Sequence, residues 1–112
     1  MKIEHTAFGG WENCLRIAND HAELIITLDV GPRVISYQHL PGGKNVLKVN
    51  ADELGKSGEA KNVNRGGHRF WLSPEGERTF FPDNSPVTYE QLPNGVRLIN
   101  PATALESIPL LK

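Results

Sequence analysis

The sequence predicts an all-β chain: one domain over residues 1–112, folded as an antiparallel β-sandwich. Three observations carry that expectation. Apolar residues fall in short runs rich in valine and isoleucine, too short for helices. Turn residues separate these runs every 8–12 residues or so, the spacing of sandwiches and barrels. The chain has 11 glycines and 8 prolines. Average usage of the two would give about 13 together in a chain of this length, so turns are abundant.

The elements follow in order. Residues 13–18 and 24–30 are strand-like, and Asn19-Asp20-His21 between them is a hairpin signal. Gly31-Pro32 ends the second run. Residues 33–40 form the next strand, closed by Pro41-Gly42-Gly43. Residues 45–49 read as a third short strand of this group. Residues 50–66 are polar and glycine-containing and read as a long loop, with one helical turn at 51–54. Strand character resumes at 68–72 and stops at Ser73-Pro74. A short run at 79–81 ends on Pro82-Asp83-Asn84-Ser85-Pro86, a dense turn signal. Residues 87–92 alternate cleanly and pass through Pro93-Asn94-Gly95 into 96–99, a hairpin whose Asn-Gly pair can supply positive φ angles. Residues 107–112 resemble the start of a strand. A terminal apolar strand must pair with something: this sheet, another chain, or the rest of a longer protein.

Composition restricts the classes of function. Net charge is −1 and the pI about 6.4, with no basic stripe, so nucleic acid is not an expected partner. Cys14 is the lone cysteine, which excludes an intramolecular disulfide and a cysteine-based zinc site. His5, His21 and His39 are scattered without metal-ligand spacing and read as surface residues. No metal or cofactor is expected. No segment approaches the ~18 apolar residues of a membrane span, and residues 1–5 lack the pattern of a secretory signal. The expected setting is cytoplasmic, without a membrane partner.

Chemistry concentrates in Asn64-Arg65-Gly66-Gly67-His68-Arg69-Phe70-Trp71-Leu72-Ser73-Pro74-Glu75. Arginine presents a rigid fork of donors, histidine exchanges protons near neutral pH, and tryptophan offers a flat apolar face. That set suits a hydroxyl-rich ligand. His68 is the candidate catalytic group, or else a strand histidine bonded to a neighbouring carbonyl. Arg65 and Arg69 either bind ligand or pair with acids such as Glu75 and Asp83. Trp11 and Trp71 either stack on a sugar or pack in the core. Glu75 and Asp83 are carboxylates on turns, Asp83 also suited to capping its own turn. In a regular strand His68 would share a face with Phe70 and Leu72, and Arg69 with Trp71. A bulge at Gly66-Gly67 would change that.

Five segments occur in a telling order: Gly10-Trp11-Glu12-Asn13-Cys14, Asp29-Val30-Gly31-Pro32-Arg33-Val34, Gly66-Gly67-His68-Arg69-Phe70-Trp71, Pro74-Glu75, and Phe81-Pro82-Asp83-Asn84-Ser85-Pro86-Val87. Together they resemble the N-terminal part of an uncharacterised bacterial family with a galactose-mutarotase-like fold, related at fold level to aldose 1-epimerases. The resemblance spans about residues 10–101. It implies a large antiparallel sandwich, of which this chain is a half-length part, binding a sugar in a cleft on one sheet. It also implies pyranose ring opening and closing, with a histidine protonating the ring oxygen and a carboxylate as base. In mutarotases that base comes from the second half. An arginine and a histidine of the first half help hold the sugar, and Arg65, Arg69 and His68 lie in the matching motif neighbourhood.

Three functions are therefore expected in order. The first is a carbohydrate-binding, mutarotase-like protein, incomplete as an enzyme unless self-association as a homodimer completes it. The second is a non-catalytic interaction module that associates through edge strands. The third is an aldose 1-epimerase-type isomerase.

Overall fold

The computed structural model describes residues 1–56, 65–69, 86–100 and 110–111. Among these residues, eight strands and one short 3-10 turn are the regular elements. Strands β1 (Lys2–Phe8), β2 (Trp11–Ala18), β3 (Ala22–Thr27), β4 (Arg33–His39) and β5 (His68–Arg69) form a five-stranded sheet in sequence order. Strands β6 (Thr88–Leu92), β7 (Gly95–Asn100) and β8 (Leu110–Leu111) form a three-stranded sheet. Every pairing is antiparallel. The expected all-β antiparallel character is present, and β8 pairs with β7 at Ile99 and Asn100.

The first hairpin signal is realised at Asn19, whose side-chain oxygen accepts from the backbone N–H groups of His21 and Ala22 at 2.8 and 2.9 Å. An asparagine that caps its own turn is why Asn-Asp marks a reversal. Strand β1 has no counterpart in the sequence reading. Its alternation is weak, and it forms by pairing along β2, from Lys2 with Ala18 to Phe8 with Trp11.

Residues 45–49 do not form the short strand expected of them. The only ladder element there is one bridge, Val49 with Gly66. The Asn45 side chain takes the place of a strand backbone. Its oxygen accepts from the Tyr37 N–H at 3.0 Å and its amide nitrogen donates to the Ile35 carbonyl at 3.0 Å. Both groups on β4 are thereby satisfied without a ladder. The expected helical turn is present as a 3-10 turn over Ala51–Glu53, capped by the Asn50 side chain. The late hairpin is also present, but its loop is Pro93-Asn94, since Leu92 pairs with Gly95. None of these turn residues has a positive φ. Proline at the first loop position fixes the turn instead of the left-handed freedom of Asn-Gly.

Two apolar clusters lie on opposite faces of the first sheet. Cys14 and Leu15 are adjacent on β2, so their side chains point to opposite faces. Cys14 packs with Trp11, Val30 and Ile35, with Phe8, Ile25 and Val49 around them. Leu15 packs with Leu28 and Val87, and Val96 and Leu98 of β7 lie against that group. The second cluster thus joins the two sheets. The Val87 N–H donates to the Leu28 carbonyl at 2.8 Å, and His5 Nε2 lies 2.6 Å from the Tyr89 hydroxyl. A bulge where β4 meets β3 at Ile25 and Ile26 lets Ile35 and Ser36, consecutive in sequence, both be buried.

Candidate functional site

The Gly66-Gly67 turn is the pivot of the candidate site. Both glycines have positive φ, +85° and +73°. A Cβ on Gly66 would overlap the Lys48 carbonyl oxygen, and one on Gly67 would lie 2.5 Å from the Val34 carbonyl oxygen. The backbone therefore passes against two neighbouring segments where no side chain fits. Gly67 N–H donates to the Lys48 carbonyl at 2.7 Å, and Asn50 N–H donates to the Arg65 carbonyl at 3.1 Å.

Beneath the turn lie two arginines. Arg65 is 0% exposed and Arg33 is 1% exposed. Arg33 Nη1 donates to the Gly66 carbonyl at 2.9 Å. Arg65 Nε donates to the Lys56 carbonyl at 3.1 Å, and Trp11 Nε1 donates to the same oxygen at 2.9 Å. Two buried side chains from distant parts of the sequence thus meet on one carbonyl. A buried guanidinium is tolerated only when its donors are satisfied, and here a main-chain oxygen accepts from one nitrogen of each. Thr27, also fully buried, donates from its hydroxyl to the Val30 carbonyl at 2.6 Å.

From this base β5 runs along β4, with His68 opposite Val34 and Arg69 opposite Arg33. His68 is exposed. The structure therefore gives the sequence candidates distinct positions. Arg65 and Trp11 are internal and brace the turn. His68 is at the surface. Arg69 sits at the register position next to Arg33. Trp71, Glu75 and Asp83 lie outside the described residues, as do the strands expected at 70–72 and 79–81.

Sequence reasoning missed Arg33. It stood inside the Gly31-Pro32-Arg33 segment, yet nothing local separates a buried arginine from an exposed one. The register partner Arg69 would have been the clue, and register is a tertiary property. Tyr37 was also missed, a tyrosine 47% exposed on β4 beside a groove of about 450 Å³ lined by Met1, Ile17, Ala22 and Leu24.

Cys14 is buried, and its Sγ lies 3.6 Å from the Trp11 carbonyl oxygen. Burial, helped by the negative charge of Asp29, pushes its thiol up to about 11. It stays protonated at neutral pH, the less nucleophilic form. Among the described residues no group of three or more His, Cys, Asp or Glu could hold a metal ion, and no helix is long and apolar enough to cross a membrane. No family model, curated protein or solved structure matches the chain.

Proposed function

We propose that this chain binds a carbohydrate at the β4–β5 edge, with His68 as the residue that contacts sugar hydroxyls. One observation supports the reading above others: an exposed imidazole stands on a backbone whose turn is fixed by two glycines and two buried arginines. A binding group held by a rigid frame loses little entropy when ligand arrives. Imidazole both donates and accepts, which suits a hydroxyl. Arg69, next along β5, is a second candidate contact for a ligand that wraps the edge strand, since consecutive strand residues alternate faces. Arg65 and Trp11 then act as positioning residues. The resemblance of the motif order to mutarotase-like proteins points to the same ligand class. It also favours a sandwich architecture, in which the β6–β8 sheet packs over the Leu15 face.

Binding is the reading tested first; ring opening would need a carboxylate base as well. The test is sugar titration by calorimetry against wild type, His68→Ala and Arg69→Ala. Saturable heat with a pyranose, lost in His68→Ala while the circular dichroism spectrum is unchanged, supports the reading. No heat from a broad panel of pyranoses would sink it. An isomerase reading would instead require anomerisation of glucose or galactose that His68→Ala abolishes.

A further inference from the structure

We propose that Asn94 is a site of spontaneous deamidation, at the tip of the β6–β7 hairpin, and that its isoaspartyl product loosens the second sheet from the first. The chain contains a single Asn-Gly step, Asn94-Gly95. It stands apart from the β4–β5 edge and takes no part in the sugar-binding reading.

The chemistry needs only this chain and water. The Gly95 amide nitrogen gives up its proton to solvent and attacks Cγ of Asn94. An N–Cγ bond forms, the Cγ–Nδ2 bond breaks, and the side-chain nitrogen leaves as ammonia. Water then opens the five-membered succinimide. Attack at Cγ gives aspartate. Attack at the Asn94 main-chain carbonyl gives isoaspartate, in which the chain continues through the side chain. A following glycine favours the first step because it has no Cβ to obstruct the approach of its own nitrogen.

The structure sets Asn94 apart from the other asparagines it describes. The Asn13 amide donates to Asp29 at 3.4 Å. Asn19 accepts from His21 and Ala22, Asn45 bonds Tyr37, Ile35 and Leu47, and Asn50 accepts from Asp52. Asn94 is exposed, and its side chain makes no hydrogen bond with any of the described residues. Its amide is therefore free to turn towards the Gly95 nitrogen. That nitrogen is open to approach, since nothing lies within 4 Å of a Cβ built on Gly95. Gly95 is also the first residue of β7, paired with Leu92 on the last rung of the ladder. A terminal rung is where a hairpin opens most readily.

The consequence follows from loop length. Pro93 and Asn94 alone join the Leu92–Gly95 pair, and a hairpin's register is set by its turn. Isoaspartate adds one carbon to the main chain of that loop. Behind it, Val96 and Leu98 of β7 pack on Leu15, Leu28 and Val87, the group that joins the two sheets. Aspartate, by contrast, keeps the main chain and only adds a charge, taking the net charge from −1 to −2.

Incubation of the native chain at mildly alkaline pH tests this, with peptide mapping by mass spectrometry and enzymatic methylation to detect isoaspartate. The variants are Asn94→Gln, Asn94→Asp and Gly95→Ala, and circular dichroism checks that each is folded. The expected result is amide-to-acid conversion at Asn94 ahead of Asn13, Asn19, Asn45 and Asn50. Conversion at this position is lost in Asn94→Gln and several-fold slower in Gly95→Ala. Amide exchange at Val96 and Leu98 is faster in the isoaspartyl form than in fresh protein, and unchanged in Asn94→Asp. An Asn94 that stays intact while another of these asparagines converts overturns the proposal, as does an unaltered rate in Gly95→Ala. Equal exchange in the isoaspartyl and fresh forms overturns the link to the second sheet. None of these outcomes depends on sugar binding, so this proposal and that one fail separately.

Discussion

Gly66 and Gly95 are both turn glycines by sequence, and the structure gives them opposite weights. Gly66 has a φ of +85° and faces the Lys48 carbonyl where a Cβ would stand. Gly95 has an ordinary φ, and nothing lies within 4 Å of its would-be Cβ. Gly66→Ala should cost more than ~2 kcal/mol through strain and overlap. Gly95→Ala should be neutral or stabilising by up to ~1 kcal/mol, because alanine narrows the unfolded ensemble. Urea unfolding of the two variants checks the contrast, and similar destabilisation by both would contradict it. Arg65→Ala removes a buried donor to the Lys56 carbonyl, and a loss of ~2–4 kcal/mol is expected. Cys14 adds a pH dependence. Its thiol is raised from 9.0 to about 11 in the folded chain, so the folded state holds the proton more tightly than the unfolded one. That contribution is intact below pH 9 and is lost as pH rises towards 11. Stability measured across this window should fall more steeply for wild type than for Cys14→Ala.

At the scale of elements, what the sequence made legible was local. Asn19 announced its hairpin because its side chain caps the turn it sits in. The Thr88–Leu92 and Gly95–Asn100 hairpin was legible from alternation, though its turn works through Pro93 rather than Asn-Gly. Strand β1 was not legible, because its half-buried alternation is set by β2 and not by its own residues. Residues 45–49 looked like a strand because Val46, Leu47 and Val49 are good strand formers. Asn45 bonds Tyr37 and Ile35 in the manner of a strand, and no ladder forms. Asn45→Ala should therefore loosen this segment from β4, removing three side-chain hydrogen bonds with Tyr37, Ile35 and Leu47 and leaving the Val46 N–H to Tyr37 carbonyl bond. Faster amide exchange at Tyr37 would report it, and unchanged protection would contradict it. The candidate site was legible as a cluster of residue types, but not as a division of labour. Which arginine faces inward depends on where the chain crosses β4, and no local pattern encodes that crossing.

Across the whole molecule, the two sheets are tied by Leu15, Leu28 and Val87 beneath Val96 and Leu98. Truncating Leu15 to alanine should cost ~2–5 kcal/mol, the range for a buried leucine. A single unfolding transition that moves as a unit in Leu15→Ala would show that the sheets unfold together. Among the described residues the molecule thus has a core face bridged to a second sheet and a braced edge that presents His68. The proposed function rests on the braced edge. Its most direct test is calorimetric titration of a pyranose panel into wild type and His68→Ala. The account predicts a saturable heat in wild type that disappears in a folded His68→Ala. Binding that persists unchanged in His68→Ala, or no binding by any sugar, would contradict it.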